Sequence, residues 1–162
     1  MIKDASITTM SNAKPGKSWL NLVRGIPGSG KTTWAKGVSA IRSGSVVVSA
    51  DMYFCKETGN YDFDGEQLHR AHRWCFDTVK AMLQDGVEVY VTNTFVKYNQ
   101  ISDYFKFAVD NGFGITLISM NNDFGSVHNV PDESMVRFRN SYQSHDQIVT
   151  IFNENFKYES NR

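Results

Sequence analysis

The sequence predicts an α/β domain built on a mainly parallel central sheet of about four to five strands, on three observations. Short apolar or β-branched runs alternate with longer stretches of helical periodicity, the pattern of repeated strand–helix units. A glycine-rich segment stands between the first such run and the first helix. The other strand ends carry polar residues, Asp51 and Thr92-Asn93-Thr94, and open parallel sheets gather ligands at their strands' carboxyl ends.

Residues 1–17 are polar and mixed, and read as a poorly ordered extension before a single domain spanning 18–162. A first strand over about 18–24 leads into the glycine segment, and a helix follows over about 31–42, closed by Ser43-Gly44-Ser45. Val46-Val47-Val48-Ser49 is a second buried strand with Asp51 at its carboxyl end. An aromatic loop, Met52 to Phe63, comes next. Asp64 is the expected N-cap of a long helix, with Gln67 completing a capping box. Leu68, Ala71, His72, Cys75, Phe76, Val79 and Leu83 recur along it at helical spacing. Strand three is Val87–Val91, a helix spans about 97–110, and strand four spans about 113–120. A polar loop precedes a helix from Pro131 to about Tyr142, and the tail reads as a docked strand or a short helix.

The glycine segment carries the chemistry. Gly25, Gly30, Lys31 and Thr32 satisfy G-x-x-x-x-G-K-[ST], a phosphate-binding P-loop, with a strand before it and a helix after it. The predicted architecture is therefore a three-layer P-loop NTPase fold. Gly25, Pro27, Gly28, Ser29, Gly30, Lys31, Thr32 and Thr33 are the expected contacts of a nucleoside triphosphate. Backbone N–H groups and the helix N-terminus surround the phosphate oxygens. Lys31 reaches the β- and γ-phosphates, and the Thr32 hydroxyl ligates Mg²⁺.

Asp51 follows a strand directly and has two functional readings beside that of a simple cap: general base on an attacking hydroxyl, or ligand to magnesium through water. Strand three ends without the usual carboxylate; Thr92 and Asn93 stand there and could hold a metal-bound water, though without charge. That absence favours a small kinase over a machine-type ATPase. Arg137 and Arg139 are the candidates for stabilising the transferring phosphoryl group, with Arg24 a weaker one. Two residues apart on a helix, Arg137 and Arg139 are rotated by about 200°, so only one faces a cleft. His69 and His72 lack further ligands at motif spacing and read as packing or surface residues rather than half a metal site. His128 is a candidate phosphate or substrate contact, and Tyr53 and Phe95 are candidates to stack a base.

Lys plus Arg (17) balance Asp plus Glu (17), so no global field draws the chain to long nucleic acid or to a membrane surface. Cys55 and Cys75 fit no metal spacing and read as reduced thiols. With no apolar run of membrane-span length and no signal-peptide core, the expectation is a cytoplasmic protein.

Four segments carry a resemblance to a known group. GIPGSGKTTWA (25–35), SADMY (49–53), Asn93-Thr94-Phe95 and HNVPDESMVRFRNSY (128–142) resemble the phage-type polynucleotide kinase and zeta-toxin group of P-loop proteins. GNYDFDGEQLHRAHRWC (59–75) looks closest to the kinase-like domain of a family of ubiquitin-ligase-binding proteins and to small phage ATP-binding proteins. The resemblance implies ATP and Mg²⁺ as cofactors and a nucleic-acid 5′-end or nucleotide-like molecule as acceptor. It makes Asp51 the general base and puts Asn93 among the acceptor contacts. Two departures stand out. The group's acidic segment after strand three reads TNTF here, and its lid segment reads GSVHNVP, without the lid arginine. The resemblance thus leaves open a catalytically weak nucleotide-binding protein or a small-metabolite kinase.

Overall fold

The computed structural model describes residues 4–55, 61–125 and 130–156. Five strands form one sheet: β1 (Ala5–Ser11), β2 (Trp19–Arg24), β3 (Ser45–Val48), β4 (Glu88–Asn93) and β5 (Gly114–Met120). Their spatial order is β1-β5-β2-β4-β3. β2 pairs in parallel with both β4 and β5, and β3 in parallel with β4, whereas β1 runs antiparallel to β5. Five α-helices accompany them: α1 (Lys31–Ile41), α2 (Leu68–Gln84), α3 (Ser102–Asn111), α4 (Asp132–Ser141) and α5 (His145–Phe156). Among the described residues no helix is long and apolar enough to cross a membrane.

The sheet is covered on both faces, so its central strands are apolar almost throughout. Val23, Tyr90, Ile118 and Met120 pack on Ala35, Trp34 and Val38 of α1. The larger core lies opposite, where Leu20, Leu22, Val89, Val91, Ile115 and Leu117 meet α2, α3 and α5. Ala71, Cys75, Val79 and Leu83 recur every four residues on α2 and are at most 1% exposed. Burying each of the larger ones contributes about 1.5–3 kcal/mol, and this stripe fixes α2 over the β3 and β4 ends.

Two expectations change. Ala5–Ser11 is not part of a loose extension but an edge strand. Its sequence hides this because Ile7 is 58% exposed while only Met10 enters the core. Hydrogen bonding holds it instead: the ladder to β5, and His145 of α5, whose two ring nitrogens lie 2.8 Å from the Thr8 and Ser119 hydroxyls. The tail, open between strand and helix, is the helix α5, with Ile148 and Phe152 one turn apart in the core. Asp64 does cap, but it caps a 3-10 turn over Gly65–Gln67 ahead of α2, accepting from the Glu66 amide at 3.0 Å.

Candidate active site

β2 delivers Gly25 to the carboxyl edge of the sheet, and α1 starts at Lys31. A Cβ on Gly25 would lie 2.3 Å from Ser29 Oγ and 3.0 Å from the Met120 carbonyl oxygen, so no larger residue fits. Gly30 is the N-cap of α1 at φ 85°, in the left-handed region, and no side chain caps the helix. The first-turn amides therefore keep their donors for an anion, and no acidic residue stands in that turn to repel one. Inside the loop the Ser29 amide donates to the Ile26 carbonyl at 3.1 Å. The Lys31 ammonium, folded back over the loop, donates to the same carbonyl at 3.3 Å. Burial pushes Lys31 down to about 8, partly offset by the Asp51 carboxylate.

Asp51 sits in a 3-10 turn, Ala50–Phe54, just past β3. Ser49 Oγ accepts from the Asp51 amide at 3.2 Å, and Asn93 Oδ1 accepts from the Ala50 amide at 2.9 Å. β4 thus holds the turn from beside, and the carboxylate is left exposed. Tyr61 donates its hydroxyl to Asp51 Oδ1 at 3.4 Å. Burial, then the Asp51 charge, raises Tyr61 to about 12, so it remains a donor at neutral pH. Asp51 also acts on His72 of α2, raising a ring that burial otherwise lowers. Tyr61 thus bonds this carboxylate directly, and Lys31 and His72 lie within range of its charge. Tyr61 and His72 are additions to the sequence reading; only the fold brings α2 and the aromatic segment to the β3 end.

The remaining candidates divide. Asn93 is spent on structure: besides Ala50 it donates to Cys75 Sγ at 3.6 Å, and it is 6% exposed. Thr92 alternates with it and shares the α1 face with Tyr90. Its Oγ1 is buried without a hydrogen-bond partner, as is Ser29 Oγ. Phe95 is not available to a base. A positive φ of 44° turns the chain there, and the ring is 3% exposed, edge-on to Tyr104 at 5.4 Å. Tyr53 is half-buried against Phe54 and Trp74 and donates its hydroxyl to Gln67 at 3.2 Å. Cys75 is sealed in the core, its thiol pushed up by burial.

Of the arginines, Arg24 is fully buried and donates to the carbonyls of Phe95, Val96 and Gln143 and to Ser119 Oγ. It is a structural residue. Arg139 lines a cavity of about 200 Å³ with Ile26, Met120, Asn121 and Tyr142, beside the P-loop, and pairs with Asp123. Arg137 lines a separate groove with Val96, Lys97, Gln100 and Ser141, which takes it out of the P-loop's surroundings. Their opposite directions follow from the helix turn. His128 lies outside the described residues. Pro27, Gly28, Thr32 and Thr33 occupy the loop and the first helical turn as the motif requires.

Among the described residues no cluster of three or more His, Cys, Asp or Glu could cage a metal. A hydroxyl at Thr32, one exposed carboxylate at Asp51 and the orphaned Thr92 hydroxyl still suit Mg²⁺, which keeps waters and takes its other ligands from phosphate.

A loop that cradles phosphate at a helix N-terminus, on a five-stranded, mostly parallel sheet, defines a P-loop domain of the kinase-like kind. Residues 20–123 match the family described as AAA domain, and the chain belongs to it. NEDD4-binding protein 2 of Homo sapiens is 31% identical over 86 residues, 52% of this chain and 5% of that protein. The chain thus spans only a small part of that relative. Among solved structures, the Pnkp1/Rnl/Hen1 RNA repair complex aligns at a TM-score of 0.52 and 17% identity, covering 90% of this chain and 46% of the other. APS kinase CysC of Mycobacterium tuberculosis aligns at 0.53 and 15%, covering 78% and 98%. These two share its fold.

Proposed function

We propose that this domain binds ATP on Gly25–Thr33 and transfers the γ-phosphoryl group to a hydroxyl of a nucleic-acid 5′-end or nucleotide-like acceptor, with Asp51 as general base. One observation carries the reading: Lys31, at the start of α1, and Asp51, in the turn just past β3, stand at the same carboxyl edge of the sheet, the Asp51 turn being tied by Asn93 to the strand beside β2. A γ-phosphate held by Lys31 would therefore share that edge with the exposed Asp51 carboxylate, the candidate proton acceptor. The acceptor oxygen attacks the γ-phosphorus, the bond to the bridging oxygen of ADP breaks, and the hydroxyl proton passes to Asp51. Mg²⁺, when bound, would supply charge neutralisation to the phosphates; Thr32 would hold it directly, and Asp51 and Thr92 through water. Arg139 stands on the P-loop side to approach the transferring group, and the Tyr61 hydroxyl orients the Asp51 carboxylate.

The family assignment and the likeness to an APS kinase are consistent with phosphoryl transfer and leave the acceptor open. A second reading, a nucleotide-binding protein with little turnover, draws on the pairing of Arg139 with Asp123. Labelled ATP offered with 5′-hydroxyl oligonucleotides, nucleosides and sugars separates the two. Transfer that falls at least a hundredfold in Asp51→Asn, with ATP affinity kept, supports the base role. Unchanged turnover in that variant removes it, and tight ATP binding without transfer to any acceptor supports the second reading.

A further inference from the structure

The two aromatics that sequence reading offers as base platforms, Tyr53 and Phe95, are packed away, yet a different pair stands open beside Asp51. Cys55 and Tyr61 form an isolated antiparallel bridge, and the Asp62 amide donates to the Phe54 carbonyl at 2.9 Å. Tyr61 and Phe63, two residues apart on this extended stretch, project to the same side. Their rings lie within 16° of parallel, with centroids 6.3 Å apart. Both rest edge-on against the buried Phe54, at 6.2 and 5.2 Å. The pair is held in place from below, yet Phe63 is 54% exposed, Tyr61 37% and the neighbouring Met52 47%. Exposed large apolar groups clustered at one end of a cleft mark a binding surface more often than chance.

We infer that the Tyr61–Phe63 ring pair is the platform on which the acceptor's nucleobase stacks, so that the acceptor is a nucleoside-bearing molecule and not a bare sugar. The inference rests on the reading of Asp51 as base and gives that base its substrate class. The link is the Tyr61 hydroxyl, which reaches Asp51 Oδ1 while its ring belongs to the pair. A base on the rings leaves the attached sugar to span the distance to the carboxylate. Stacking on aromatic faces tolerates any base, so the platform selects for a base without selecting which. Asp64 and Glu66 lie exposed along the same stretch. Their charge disfavours a long polyanion there and suits a nucleoside or a short end.

The probes are thymidine 3′-monophosphate and its base-free counterpart, 1,2-dideoxyribose 3-phosphate; both offer a 5′-hydroxyl. Wild-type protein is expected to show a KM about tenfold lower for the thymidine probe. Phe63→Ala should bring that ratio close to one, and Phe63→Trp should restore it. Transfer to both probes with no such ratio, or with a ratio that Phe63→Ala leaves intact, overturns the platform while leaving Asp51 as base. If wild type transfers to neither probe, the transfer reading fails and equilibrium dialysis decides the platform. Saturable thymidine 3′-monophosphate binding that Phe63→Ala weakens supports it, and no saturable binding overturns it.

Discussion

Arg24 lies beneath Tyr142, its guanidinium carbon 4.1 Å from the ring centroid, and donates at 2.7 Å to the carbonyl of Gln143. Arg24 ends the strand that feeds the P-loop, and Tyr142 and Gln143 join α4 to α5. A single side chain therefore ties the loop's entry to the root of the helix that carries Arg139. Burial lowers the guanidinium's pKa, and the hydrogen bonds and ring face replace its lost water. Arg24→Lys keeps the charge but not the planar fork. It should lower unfolding free energy by about 3 kcal/mol, because carbonyls of Phe95, Val96 and Gln143 lose donors in a dry interior. Urea denaturation measures this, and an unchanged midpoint would show that the contacts are incidental.

Lys31 gives a pH response with opposite signs for folding and for binding. Its folded value of about 8 lies below the ordinary 10.5, so between these the unfolded chain binds more protons. Stability of the ligand-free protein should therefore rise with pH across that window, as the cost of burying the charge is relieved. Nucleotide affinity should fall over the same range, because a neutral amine no longer meets the phosphates. Lys31→Met should flatten both slopes in parallel titrations of melting temperature and ATP Kd.

Arg139 and Asp123 form a half-exposed ion pair, with side chains 48% and 42% exposed. Such pairs contribute about 0–1 kcal/mol, so Arg139→Ala should leave the fold intact. Its effect should fall on kcat, by about a hundredfold, with ATP affinity little changed. The same substitution at Arg137, on the other groove, should reduce kcat at least tenfold less. Equal effects would show that α4 as a whole, and not the Arg139 guanidinium, matters.

Gly25→Ala should abolish measurable nucleotide binding and destabilise the domain by about 1–3 kcal/mol through overpacking. Adding Ser29→Ala should restore the stability only in part. It removes the hydroxyl 2.3 Å from the new Cβ, but the Met120 carbonyl still stands 3.0 Å away. Full recovery would mean that the backbone of the loop shifts freely.

What the sequence reveals follows from where the signal is local. The P-loop is readable because its glycines, Lys31 and Thr32 are contiguous. The stripe on α2 is readable because burial repeats with the helix turn. Arg137 and Arg139 are readable as pointing apart, from helix geometry alone, but which of them turns to the P-loop depends on how α4 docks. Phe95 misleads because its position after a strand suggests a cleft, and only the turn at that residue sends the ring inward. Asn93 misleads similarly, its amide being taken up by Ala50 and Cys75. Tyr61 reaches Asp51 and His72 comes within range of its charge from α2, and no spacing encodes that meeting.

The antiparallel edge strand sets an order of assembly. β1 pairs with β5 across 104 to 115 residues of chain (Ser11 with Ile115, Ala5 with Met120), and the intervening segment holds every other strand of the sheet. Closing so long a loop costs entropy that few apolar contacts of β1 return. The four parallel strands must therefore form first and present β5 as a template. In pulse-labelled hydrogen exchange the amides of Ala5–Ser11 should gain protection after those of Trp19–Arg24. The sheet's first strand in chain order is thus its last to be added.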